Sequence, residues 1–128
     1  MTAQAAPGFL KWPDHFVEIG LSKSSFELEF NGTVIASSSS VLKMTEKAHD
    51  DRYYFPKDHI DMTCLTATDH STYCPFKGQA QYWTINVGDD ALVNGVWGYA
   101  EPYEECLELV DHVCFYLEKP EFRLHVKE

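Results

Sequence analysis

No C-x-x-C pair, no H-x-x-x-H or H-E-x-x-H pattern and no run of about 20 apolar residues occurs in this 128-residue chain. Each absence removes a class. Without paired cysteines the strongest zinc spacing is missing, and no metal site is expected. Without a long apolar run there is no candidate for a membrane-crossing helix. The G-x-G-x-x-G and G-x-S-x-G motifs and the phosphate-binding loop are missing too, so the enzyme classes they mark receive no support and no cofactor is expected. Positive charge is scarce: 10 Lys and Arg stand against 20 Asp and Glu, a formal net charge of −10. A surface of that sign repels phosphate backbones and anionic lipids, so neither nucleic acid nor a membrane is an expected partner. A small anion stays compatible, because local amides and one or two cations can outweigh the global field.

Met1 to Gly8 lacks a basic n-region and an apolar h-region, so no secretory signal is read there. Residues 1–12 read as a flexible tail and residues 13–128 as a single β-rich domain. The four cysteines, Cys64, Cys74, Cys106 and Cys114, read as reduced thiols in a cytoplasmic protein.

What is present is mostly strand. Phe26, Leu28 and Phe30 alternate with Glu27 and Glu29, which puts three apolar side chains on one face. Asn31-Gly32 then supplies the residues of a tight hairpin turn, and Thr33 to Ala36 returns. That turn is a better reading of Asn31-Gly32-Thr33 than a glycosylation sequon. Further strands are expected near Phe16–Leu21, Val41–Met44, Arg52–Phe55, Gln79–Val87, Ala91–Val93, Val96–Tyr99, Val113–Tyr116 and Phe122–Val126. Pro102, with Glu101, Glu104 and Glu105 around it, and Tyr103, Cys106, Leu107 and Val110 behind it, predicts one helix over residues 102–112.

Chemistry concentrates in Ser71-Thr72-Tyr73-Cys74-Pro75-Phe76-Lys77-Gly78, read as a shaped turn between strands. Lys77 sets a cation three residues from the Cys74 thiol, and a nearby cation favours the reactive thiolate. His70, four residues before Cys74, is a candidate base for it. Glu46 is a candidate general base or a partner for Lys77. Tyr54, Tyr82, Trp97 and Tyr99 are candidates for a ligand-binding wall with hydroxyls at strand ends. Each has a plainer reading: Cys74 packs, Lys77 and Glu46 are solvated, and the aromatics build a core.

Tyr53-Tyr54-Phe55-Pro56, Thr72 through Tyr82, Val96-Trp97-Gly98-Tyr99-Ala100-Glu101-Pro102 and Val113-Cys114-Phe115-Tyr116 resemble, in order and spacing, the domain of unknown function family four hundred and twenty-seven. The resemblance runs from about His15 to Tyr116, and Glu46 falls where that family carries a glutamate. It implies a compact domain of coiled antiparallel sheets, similar in fold to the β-tent group of methionine-R-sulfoxide reductases and the thalidomide-binding domain of cereblon. Those relatives hold zinc between cysteine pairs, which this chain lacks. The family is sometimes labelled nucleotidyltransferase-like, but no Gly-Ser loop followed by paired aspartates is present. Ser37 to Ser40 stands where family members carry arginines, and Tyr73 where they carry a histidine.

Two functions remain in play on this reading. One is a small-molecule pocket, extending to an enzyme acting on a small polar or anionic metabolite with Lys77 steadying negative charge. The other is a non-catalytic binding or protein-interaction domain whose motif residues are structural, with an acidic surface suited to a basic partner and an exposed sheet suited to a homodimer.

Overall fold

The computed structural model describes residues 3–128. Ten strands form two antiparallel sheets: β1 Val17–Leu21, β2 Ser25–Phe30, β3 Thr33–Ser38, β4 Leu42–Glu46, β5 Arg52–Pro56, β6 Leu65–Cys74, β7 Gly78–Val87, β8 Asp90–Gly98, β9 His112–Phe115 and β10 Phe122–Lys127. The larger sheet has the order β1-β4-β5-β9-β8-β7-β6, the smaller one β10-β2-β3. Among the described residues no helix is long and apolar enough to cross a membrane.

The β2–β3 hairpin forms as expected, with Asn31 at φ 47° and Gly32 at φ 86°. It buries Phe26, Leu28, Phe30, Ile35 and Ala36 against Phe55, Trp83, Ile85, Val96, Val113 and Phe115 of the larger sheet. At about 25 cal/mol per Å² of apolar area removed from water, burying this layer favours the packing of the two sheets. The opposite face of the larger sheet carries a second cluster of Met44, Tyr54, Ala80, Tyr99, Cys106, Leu109 and Cys114.

Three expectations are corrected. The helix over residues 102–112 is only a 3₁₀ segment, Glu104–Leu109, kinked at Cys106, and the chain ends in the strand β10. The donors at its start are satisfied from outside, the Tyr103 N–H by the Lys77 carbonyl and the Glu104 N–H by the Gln4 carbonyl, as the free first-turn N–H groups of a helix would be. Only Cys106 and Leu109 of the segment are buried, too little apolar face for so short a helix to be stable. The tail is tied down rather than loose over Gln4 to Lys11. Gly8 N–H donates to the Pro75 carbonyl, Ala6 N–H to Glu105 Oε1, and Gly8–Lys11 forms a short helix, α1. The apolar anchor is Phe9, whose ring meets Phe76 at 5.0 Å. Finally, the turn expected over Ser71–Gly78 is confined to its end, because residues up to Cys74 belong to the ten-residue strand β6. Both faces of that edge strand are largely exposed, so it lacks the apolar alternation that marks a strand in sequence.

The larger sheet is strongly coiled. Glu46 ends β4, second in the sheet, whereas Lys77 sits in the turn joining β6 and β7 at its far side. Four or five strand spacings would separate them by roughly 19–24 Å in a flat sheet. Their charged groups are 2.7 Å apart.

Candidate functional site

Register lays out the face that the second cluster occupies. Leu21 lies opposite Leu42, Leu42 opposite Tyr54, Tyr54 opposite Cys114, Cys114 opposite Trp97 and Trp97 opposite Tyr82. Residues directly opposite share a face, so six strands contribute one row. Its centre is sealed: Tyr54 and Cys114 are buried. Toward β6 it opens, with Trp97 and Tyr82 half-buried. Arg52 lies over the Trp97 ring at 5.3 Å and is held by Glu118 at 2.8 Å.

At one end of this face the coiled sheet brings charges together. Lys77 Nζ donates to Glu46 Oε1 at 2.7 Å and lies 3.8 Å from Cys74 Sγ. His15 Nε2 bonds the other carboxylate oxygen, Glu46 Oε2, at 2.8 Å. Glu46 and Lys77 are 6% and 8% exposed, so the plain reading of both as solvated residues fails. The β4 alternation explains Glu46: it shares a face with Leu42 and Met44 and therefore points into the fold. Burial by itself raises the Glu46 pKa, but hydrogen bonds from Lys77 and His15 and the Lys77 charge outweigh it and hold the carboxyl below its ordinary range.

Gly78 makes the approach of this turn to the opposite loop possible. Its φ is +120°, and a Cβ there would stand 3.3 Å from the Glu101 carbonyl. The Tyr103 N–H, donating to the Lys77 carbonyl, fixes the same turn from its other side.

The phenol of Tyr99 completes the group. Burial pushes its pKa up strongly, helped by the neighbouring Cys74, Tyr82, Cys114 and Glu46. Tyr54 is raised in the same way, burial first and Cys114 and Tyr99 next. Both therefore keep their protons and act as neutral hydroxyls. Among the thiols, Cys106 and Cys114 are pushed up to about 12, chiefly by burial. Cys64, Cys106 and Cys114 are buried and Cys74 is partly exposed, all four being free.

Sequence reasoning therefore selected four residues that meet here, Glu46, Cys74, Lys77 and Tyr99. Tyr82 and Trp97 extend the same face and Tyr54 lies sealed behind it. His70 is placed elsewhere. Its ring stands edge-on to Tyr82 at 4.5 Å, and it lines a separate hollow of about 480 Å³ with Asp69, Ser71 and Gln79. No hydrogen bond joins it to Cys74 among the described residues, and four residues along a strand span about 13 Å. The histidine that does join the cluster is His15, which lies 31 positions from Glu46 and carries no local motif. Only the Val17–Glu46 end of the β1–β4 ladder, next to His15, could have hinted at it.

Chemically the arrangement offers a thiol beside an ammonium, a carboxylate hydrogen-bonded to both Lys77 and His15, and a phenol donor. Among the described residues no three His, Cys, Asp or Glu side chains are grouped to hold a metal ion. A family model labelled NTP_transf_9 and described as "Domain of unknown function (DUF427)" matches residues 18–125. No curated protein matches the chain.

Proposed function

Starting from a chain that belongs to the DUF427 family, whose description names no activity, we propose that this protein is a binding domain for a small polar molecule seated over Trp97 and Tyr82. The ligand would reach Cys74 and Tyr99 at the inner end of that face. The carrying observation is that Cys74, partly exposed among three buried thiols, stands 3.8 Å from a lysine whose carboxylate partner is itself buried. Aromatic walls supply apolar contact, and the phenol, thiol and ammonium fix orientation. Because Glu46 already neutralises Lys77, a neutral or weakly anionic ligand suits the face better than a multiply charged one. In a reaction at this site the Cys74 thiol would pass its proton to water or to the ligand, and the Lys77 ammonium would steady the thiolate left behind. We also read the coiled sheet as β-tent-like and the four free thiols as fitting a cytoplasmic setting.

A thermal-shift screen of small metabolites tests this. A ligand at a hundred times its Kd should stabilise the wild type by about 2.7 kcal/mol. The shift should disappear in Tyr82→Ala and Cys74→Ser. Equal shifts in wild type and variants would remove this face from consideration.

A second reading is favoured by one observation: both oxygens of Glu46 are taken, one by Lys77 and one by His15. On that reading the motif residues latch the coiled sheet, and the domain serves protein interaction without a ligand. It expects the variants of Glu46 and Lys77 to lose stability while the screen finds no ligand.

A further inference from the structure

A second hollow lies on the outer side of His15, between α1 and the bend that follows β4. Its volume is about 610 Å³, within the range of small-molecule sites, roughly 300–1,000 Å³. Its walls are Trp12, Pro13, Pro75 and Phe76. The Phe76 ring is stacked on His15 at 3.9 Å and tilted against Trp12 at 5.8 Å, while Trp12 stays 48% exposed. This leaves an aromatic corner in which the Trp12 ring is half exposed.

The rim reverses the charge of the molecule. Lys11 and Lys47 border the hollow against a single lining carboxylate, Asp14, with His49 beside them and His15 engaged by Glu46, in a chain with twice as many acids as bases. Among the described residues neither Lys11 nor Lys47 has a carboxylate within salt-bridge distance. Lys47 Nζ touches only the Asp14 carbonyl, at 3.5 Å, and Lys11 Nζ stands 4.9 Å from the centre of the Trp12 ring. Two ammonium groups without a carboxylate partner, one of them over a half-exposed indole, suit a ligand that is flat at one end and negative at the other. In an acidic protein, a local reversal of sign also concentrates anions at this spot rather than elsewhere on the surface.

We propose that this hollow binds a small planar aromatic anion, its ring against Trp12 and Phe76 and its carboxylate or phosphate among Lys11, Lys47 and His49. The site is distinct from the face over Trp97, and it stands or falls independently of the function proposed there.

The test is an NMR titration of the full chain, following backbone amides, with 2-naphthoate and 2-naphthyl phosphate as probes. The neutral 2-naphthalenemethanol and plain acetate serve as comparisons. Both aromatic anions are expected to move the amides of Lys11, Trp12, His15, Lys47, His49 and Phe76 and to saturate. The tighter of the two assigns the negative group as carboxylate or phosphate. Lys47→Gln should weaken binding roughly three- to fivefold, as expected for one partly solvated charge, whereas Lys119→Gln, outside the hollow, should not change it. The proposal is overturned if the neutral alcohol binds as tightly as the anions, if the moving amides lie outside this set, or if Lys47→Gln leaves the affinity unchanged.

Discussion

Glu46 and Lys77 are 31 residues apart in the chain and 2.7 Å apart in space, and the ion pair they form ties the second strand of the larger sheet to the turn at its far edge. Lys77→Met would leave the carboxylate buried without its cation, which is expected to cost about 3 kcal/mol. Glu46→Leu with Lys77→Met removes both charges and is expected to recover most of that loss. Urea unfolding midpoints measure both variants; a wild-type midpoint for Lys77→Met would show that the pair does not hold the coil.

Acid should weaken the fold through the same carboxyl. Its folded pKa lies below the ordinary 4.5, because Lys77 and His15 together outweigh the raising effect of burial. The unfolded state therefore binds this proton first. The stability contributed is fully present above pH 4.5 and is lost as pH falls through the lowered folded value. Urea midpoints taken from pH 7 to pH 3 should fall more steeply for the wild type than for Glu46→Gln. Parallel curves would contradict the assignment.

Thiol reactivity should be confined to one position. With Cys64, Cys106 and Cys114 buried and free, a chromogenic disulfide reagent is expected to modify a single thiol in the native protein and all four after denaturation. Cys74→Ser should abolish the native reaction. Lys77→Gln should slow it if the ammonium at 3.8 Å stabilises the attacking thiolate, and an unchanged rate would leave Cys74 merely accessible.

Gly98 separates Trp97 from Tyr99, and a Cβ there would come 2.8 Å from the His112 carbonyl and 3.3 Å from Val113 Cγ1. Backbone cannot swing aside as a side chain can. Gly98→Ala is thus expected to force β8 and β9 apart and to destabilise by about 1–3 kcal/mol, seen as a lower melting temperature. An unchanged melting temperature would mean the two strands have slack at this point.

Legibility in the sequence followed how local each cause was. The β2–β3 hairpin could be read because Phe26, Leu28 and Phe30 alternate and Asn31-Gly32 admits positive φ. The strand β6 was hidden because Thr66 to Tyr73 is polar on both faces, as an edge strand in contact with solvent can be. The helix expected over residues 102–112 failed because the segment breaks at Cys106 and buries only Cys106 and Leu109, and how much apolar face finds a partner is not contained in any window of neighbouring residues. The same holds for the tail, since Phe9 is anchored by Phe76 far along the chain.

By itself the sequence determined a mostly β chain, its first hairpin and the residue types gathered around Cys74 and Lys77, because alternation, turn chemistry and short spacings act between neighbours in the chain. Only tertiary structure decided that Glu46 and His15 complete that cluster, that His70 does not, and that Lys11 and Lys47 border a common hollow. Coiling of the larger sheet sets those distances, and it depends on how ten strands twist and pack together rather than on any one segment.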